Sequence, residues 1–408
     1  MKELLDFINQ SWILTRRYSP EDEGTLIGLP KPYTVPSIKN CFNELYYWDT
    51  YFTNVGLIIS GKLDYAKDNA DNIAHLINKY GFMPNGNRTY YLNRSQPPFF
   101  SLMVRDIYDK LRDREWLSSM FSALLREYSF WQDKRSTPIG LNRYYHTLGD
   151  IENFDGEQTS PEIERRLGIK PESREEAYNL SAHMRIVCES GWDCNSRMGN
   201  ESYDYAWVDL NSLMYAFEMN MAYFASELSL DTQNWIDAAE RRRALMKKYC
   251  YNTRLSAFCD YNFKCGEVSD FISLASFYPL FCRLATKEEA EAAVALLPRV
   301  EFEYGLAASE MMEFSAGLQW DYPNGWAPLH YMVINGLLAY GYSDDALRIA
   351  RKYCRTVEDN FMKTGNVWEK YNVITGEVSV TRESAQHEMM GWSAGVYLYC
   401  KGILGKRD

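Results

Sequence analysis

Four of the eleven tryptophans stand directly before an acid: Trp48-Asp49, Trp192-Asp193, Trp320-Asp321 and Trp368-Glu369. With 55 acids in 408 residues, about one or two such pairs are expected by chance. An indole beside a carboxyl lowers the local polarity and raises the carboxyl pKa, which keeps an acid protonated near neutral pH. Cleaving a glycosidic bond takes one such acid and a second carboxylate that stays ionised. The densest of these stretches, Gln319 to Pro328, reads Gln-Trp-Asp-Tyr-Pro-Asn-Gly-Trp-Ala-Pro. Two indole faces flank a carboxylate there, and Pro-Asn-Gly predicts a chain reversal between them. Indole packs on the C–H face of a sugar ring while carboxylates bind its hydroxyls. Gly191 allows backbone to approach a ligand just before Asp193, and Lys370-Tyr371-Asn372 after Glu369 supply polar groups. The plainer alternatives are tryptophans plugging a core and acids serving as helix caps or surface ion pairs.

The elements that must position these residues read as helix after helix. Residues 2–17 predict an amphipathic helix, followed by an irregular Pro-rich stretch from Tyr18 to Lys39. Tyr46-Tyr47-Trp48-Asp49 opens a helix to Ser60, and a further helix follows Gly61 with Ala66, Ala70, Ile73 and Ile77 on its apolar face. Leu210, Leu213, Met214, Phe217, Met221 and Phe224 recur at helical spacing. Gly61-x-x-Asp64-x-Ala66 and Gly341-x-x-Asp344-x-Ala346 join helix pairs in the same way, which hints at a repeating unit. Thr286 to Glu289 has capping-box spacing. Strand-like alternation is scarce, and Val378 to Thr381 is one side of a short hairpin. No linker or charge block splits residues 1–408, so a single all-α domain of about a dozen helices is expected. A toroid of inner and outer helices buries so many pairs around one aromatic-lined hollow.

Composition narrows the partners. A net charge of -11 argues against nucleic acid and anionic membrane as partners, and the absence of any 18-residue apolar run argues against a membrane span. The acids in the first nine residues argue against a signal peptide. Nine cysteines without Cys-x-x-Cys pairs read as reduced thiols, so a cytoplasmic protein is expected. No His-x-x-x-His pair occurs among the five histidines, and neither metal nor cofactor is expected.

Several segments resemble the trehalase family of glycoside hydrolases. Glu44-Leu-Tyr-Tyr-Trp-Asp49-Thr-Tyr-Phe52 is similar to one family signature, and Gln319 to Pro328 to the other. Pro84-Asn-Gly-Asn-Arg88, Ser95-Gln96-Pro-Pro, Glu189-Ser-Gly-Trp-Asp193 and Glu369-Lys-Tyr-Asn372 resemble further family segments. The resemblance spans about residues 30 to 400. It implies an (α/α)6 barrel and an inverting hydrolysis of trehalose to glucose, with Asp193 as general acid and Glu369 as general base. It also implies sugar contacts from Phe42, Tyr46, Trp48, Asp49, Arg88, Gln96, Lys170, Glu172, Gly191, Trp320, Trp326 and Glu383, with a small carbohydrate as partner.

Three positions depart from the family pattern. A family arginine before the first signature falls on Cys41, and the arginine of Arg-Pro-Glu-Ser is Lys170 here. A glycine-rich lid between the base and Glu383 is absent from Gly376 to Arg382. Lysine keeps the charge of arginine but not its bidentate fork. The readings left open are another small α-glucoside as substrate, a non-catalytic sugar-binding barrel, or an all-α toroid of other chemistry such as a zinc cyclase.

Overall fold

The computed structural model describes residues 2–39, 42–312, 318–381, 388 and 391–405. Cys41, Arg382 and Glu383 lie outside the described residues. Fourteen α-helices run through the described chain: α1 (Lys2–Leu14), α2 (Tyr47–Ile59), α3 (Leu63–Tyr80), α4 (Phe100–Leu111), α5 (Arg114–Lys134), α6 (Gly156–Leu167) and α7 (Arg174–Glu189), then α8 (Val208–Glu227), α9 (Gln233–Tyr249), α10 (Tyr278–Phe281), α11 (Lys287–Val294), α12 (Ala327–Ala339), α13 (Ser343–Thr364) and α14 (Gly391–Leu404).

Six of them close a ring. α2 packs on α4, α4 on α8, α8 on α10, α10 on α12, α12 on α14, and α14 back on α2. The burial pattern explains the ranking of inner and outer. α2 is buried from Tyr47 to Leu57 without a break, and α12 and α14 are buried on nearly every side. A helix apolar all round has to sit inside. α13 instead buries one stripe, including Ala346, Ile349, Ala350, Tyr353 and Val357, as an outer helix does. α3, α5 and α9 do likewise, and Phe7 of α1 packs against Phe361 of α13 with ring centroids 5.4 Å apart. The architecture is an (α/α)6 barrel.

The two mouths of the barrel differ in their loops. Inner helices pass to outer ones through turns of two to five residues, such as 60–62, 112–113 and 340–342. Gly61 and Gly341 in two of these turns hold φ of 73° and 87°, which only glycine adopts at little cost. That is the reason for the repeated Gly-x-x-Asp-x-Ala pattern. The returns from outer to inner helices are long, and they gather at the N-terminal ends of the inner helices. α6 and α7 belong to one such return. They carry a small apolar cluster of their own, Ile163, Ala177, Leu180 and Met184.

Local expectations fared unevenly. Thr286 and Glu289 form the capping box, and Val378 bridges Tyr371 in a hairpin. The first helix ends at Leu14 rather than residue 17, because Arg16-Arg17 pair as a strand with Tyr33-Thr34. The reversal expected at Pro323-Asn324-Gly325 falls one step earlier, where Asn324 N donates to Asp321 O at 2.8 Å. Asn324 to Trp326 is instead a strand, antiparallel to Lys370–Asn372 with Trp326 opposite Lys370.

Candidate active site

At the long-loop mouth a cavity of about 160 Å3 opens among the N-termini of inner helices. Trp48 and Asp49 line it from the first turn of α2, with Phe42 and Tyr46 just before that helix. The segment between α3 and α4 gives Asn85, Tyr91, Arg94 and Gln96. The end of α7 and its exit give Cys188, Gly191 and Asp193. Gln319, Trp320 and Trp326 come from the approach to α12, Glu369 immediately precedes Lys370–Asn372, the strand that pairs with Asn324–Trp326, and Trp392 stands in the first turn of α14. Helix N-termini carry partial positive charge, which suits a pocket holding three carboxylates.

The wall is aromatic and layered. Trp320 and Trp326 stack nearly parallel, 3.9 Å between centroids and 3° between planes. Trp48 lies against Trp320 at 5.5 Å, and Trp392 stands edge-on to Trp326 at 5.7 Å. Gly191 makes this close packing possible: its φ is 73°, and a Cβ there would come within 2.8 Å of the Trp48 indole.

The acids do not draw their environment from the tryptophans beside them in sequence. Trp192 turns away from Asp193 to stack behind Trp320, with the Arg197 guanidinium 4.6 Å from its ring. Asp193 meets Arg166 of α6 instead, Nη2 to Oδ2 at 3.1 Å. Trp368 likewise points away, its Nε1 donating to Thr364 Oγ1 at 2.9 Å. Glu369 takes a bond from Lys370 Nζ at 2.8 Å, while its backbone carbonyl accepts from Trp392 Nε1 and Ser393 Oγ, both at 3.3 Å. Asp321 does not reach the cavity. It accepts from Ser196 N at 3.1 Å and Ser196 Oγ at 2.6 Å, so it clamps the loop that carries Asp193. Burial pushes its carboxyl up to about 6, against the pull of those bonds. Arg197, the next residue of the same loop, is anchored through Asp209 at 2.7 Å and Asp260 at 2.8 Å.

Asp49 is the third carboxylate of the pocket. Burial first, then the charges of Glu369 and Asp193, pushes its pKa up to about 8. Gln96 is fixed by Trp48 N, which donates to its Oε1 at 3.2 Å. The buried Glu189, just before the Ser190-Gly191 turn, is bracketed by Arg135 at 2.7 Å and accepts from Ser95 N and Tyr145 N. It ties the Gln96 segment to the Asp193 loop.

Of the sequence-derived site residues, the structure brings together Phe42, Tyr46, Trp48, Asp49, Gln96, Gly191, Asp193, Trp320, Trp326 and Glu369. It does not bring Arg88, Lys170 or Glu172. Arg88 Nε donates to Glu44 Oε1 at 2.6 Å, outside the cavity; six residues on, Arg94 lines it. Lys170 is exposed, and Glu172 borders a separate open hollow between the 151–155 segment and α7. The short α6 turns back before them and presents Arg166 in their place. Arg94, Arg166 and Trp392 escaped the sequence reading. Arg94 stands directly before the Ser95-Gln96-Pro-Pro segment and outside it, whereas Arg166, at the end of Glu162-Ile-Glu-Arg-Arg166, resembles any solvated helix face.

Residues 8–404 match the sequence model of the family described as Trehalase. The chain belongs to the trehalase family. A protein named periplasmic trehalase from Xanthomonas axonopodis pv. citri is 30% identical over all of this chain and 74% of its own length. One of the same name from Pseudomonas aeruginosa is 32% identical over 99% of this chain and 77% of its own. The solved structure of neutral trehalase from Saccharomyces cerevisiae superposes with a TM-score of 0.79 at 31% identity, covering 92% of this chain and 74% of that one. Membership makes the chain a glycoside hydrolase that converts trehalose to glucose. The bacterial relatives' name corrects the expectation of a cytoplasmic protein. Free thiols, which eight cysteines are in the structure, do not fix a compartment. No helix among the described residues is long and apolar enough to cross a membrane, and none of their His, Cys, Asp and Glu groups is arranged to hold a metal ion.

Proposed function

We propose that this trehalase-family chain works as one catalytic unit that inverts the anomeric centre it attacks, with Asp193 as acid and Glu369 as base. One observation carries the reading: both carboxylates line a single cavity that the stacked Trp320 and Trp326 also line. Asp193 gives its proton to the glycosidic oxygen as the bond from the anomeric carbon to that oxygen breaks. Glu369 takes a proton from water as the water oxygen bonds to the same carbon from the other face. Each half leaves as glucose, and before the next turnover Asp193 regains a proton from solvent while Glu369 releases the one it took. Arg166 orients Asp193, and Lys370 orients Glu369. The Trp320–Trp326 stack supports the apolar face of the sugar being cleaved, and Asp49 and Gln96 bind its hydroxyls. A small neutral sugar suits a chain of charge -11 better than nucleic acid or an anionic membrane. NMR of the first sugar released from trehalose tests the mechanism: inversion yields one molecule of β-glucose alongside one of α-glucose. Only α-glucose in the first turnovers would mean retention.

A further inference from the structure

On the Asp193 side of the pocket a second hollow of about 170 Å3 lies between α6, α7 and Asn93-Arg94. That is roughly five or six waters' share of liquid volume. Arg94 and Cys188 line both hollows, so the two share a wall. Asp193 protonates the leaving group in the mechanism above, which makes this the leaving-group side.

Three arginines face the second hollow: Arg94, Arg166 and Arg185. The acids that answer them are few. Glu162, largely exposed, stands 3.8 Å from Arg166, whose other end is committed to Asp193. Arg185 has no hydrogen-bond or ion-pair partner among the described residues. Burial, then the like charge of Arg94, lowers its pKa. Arg94 Nε is buried without an acceptor, and so is the hydroxyl of Ser181, a wall residue only 3% exposed. The wall therefore holds more buried donors and more positive charge than its own acceptors satisfy, in a protein that is acidic as a whole. Sugar hydroxyls would occupy donors but leave the charge unanswered. Carboxylate and phosphate do both, and their oxygens match the guanidinium fork.

We propose that this hollow takes an anionic group, phosphate or carboxylate, carried by the leaving group, so that α-glucosides with an acidic aglycone are cleaved more efficiently than trehalose itself. The inference rests on the acid–base reading of Asp193 and Glu369, and the bonds made and broken are the same.

The test compares kcat/KM for trehalose, trehalose bearing a 6-phosphate, and α-glucosyl-D-glycerate. At least one anionic substrate should exceed trehalose by about tenfold or more, and which one does so separates phosphate from carboxylate. Arg185→Ala should erase most of that advantage while changing trehalose kcat/KM less than about threefold, and Arg185→Lys should keep part of it. Inorganic phosphate or D-glycerate should inhibit trehalose hydrolysis by the unaltered enzyme competitively, a readout that needs no variant to fold. Trehalose equalling or surpassing both anionic substrates overturns the proposal, as does an Arg185→Ala loss equal for neutral and anionic substrates. If no glucoside releases glucose, it is the reaction that has been misread. Calorimetric titration of phosphate and D-glycerate then decides the hollow alone: binding that Arg185→Ala abolishes upholds it, and no binding to the unaltered protein overturns it.

Discussion

Asp193 and Glu369 each move a proton in the transition state, so Asp193→Asn and Glu369→Gln should each lower kcat by about 10²–10⁴-fold with the protein still folded. Trehalose turnover by either variant above about a tenth of wild type would remove that residue from the reaction. Asp49 makes a different prediction. Its carboxyl is pushed from 3.8 to about 8 by burial, so between about pH 4 and 8 the folded protein holds a proton that the unfolded chain has released. That proton uptake favours the folded state most at the acid end, and the contribution declines as pH rises to 8. Asp49→Asn cannot titrate, so its urea midpoint should fall less than that of wild type from pH 5 to 8. Parallel slopes for the two proteins would show Asp49 ionised in the folded state. Residue identity was most legible where chemistry and position coincide in one segment, as at Trp48-Asp49. It failed where a side chain's direction decides. Arg88 and Arg94 lie in one segment, but Glu44 captures the first, and only the fold reveals that.

Elements set those directions, and glycine marks two places where they have no room to give. At Gly325 a Cβ would run into Val373 and come within 2.8 Å of the Leu306 carbonyl, inside the strand that holds Trp326 opposite Lys370. Gly325→Ala should therefore cost about 1–3 kcal/mol of stability. It should also lower trehalose kcat/KM, because Trp326 and Glu369 lie on either side of that pairing. A variant that matches wild type in both thermal unfolding and kinetics would mean that the strand pair does not govern the site. The helices were readable from apolar spacing, and their short turns from Gly-x-x-Asp-x-Ala. The two- and three-residue strands were not, since segments so brief carry no period. Nor was α6, whose last turn delivers Arg166 to Asp193: nothing in its charged face announces a partner across the site.

The ring as a whole is closed by backbone rather than by side chains at one seam. α2 and α14 cross where Gly56 meets Gly395: a Cβ on Gly56 would lie 2.6 Å from the Gly395 Cα, and one on Gly395 would strike the Phe52 carbonyl. Spacing in the sequence could suggest paired helices and a toroid, but not which two helices close it, because that contact joins residues from opposite ends of the chain. Such closeness leaves no space for a methyl group, and overpacking of this kind costs about 1–3 kcal/mol or more. Because α2 carries Trp48 and Asp49 at its start and α14 carries Trp392, forcing the seam apart also shifts one side of the pocket against the other. Gly395→Ala should lower the thermal midpoint and, well below that midpoint, still reduce trehalose kcat/KM. Alanine at Gly402, near the end of α14 with nothing within 4 Å of its Cβ position, is the control and should leave both unchanged or gain slightly in stability. If Gly395→Ala loses stability but keeps full activity in the cold, the seam supports the fold without setting the geometry of the site. If it loses activity in proportion to the displacement of α14, closure of the barrel is itself part of how the carboxylates and the indole wall are held to one substrate.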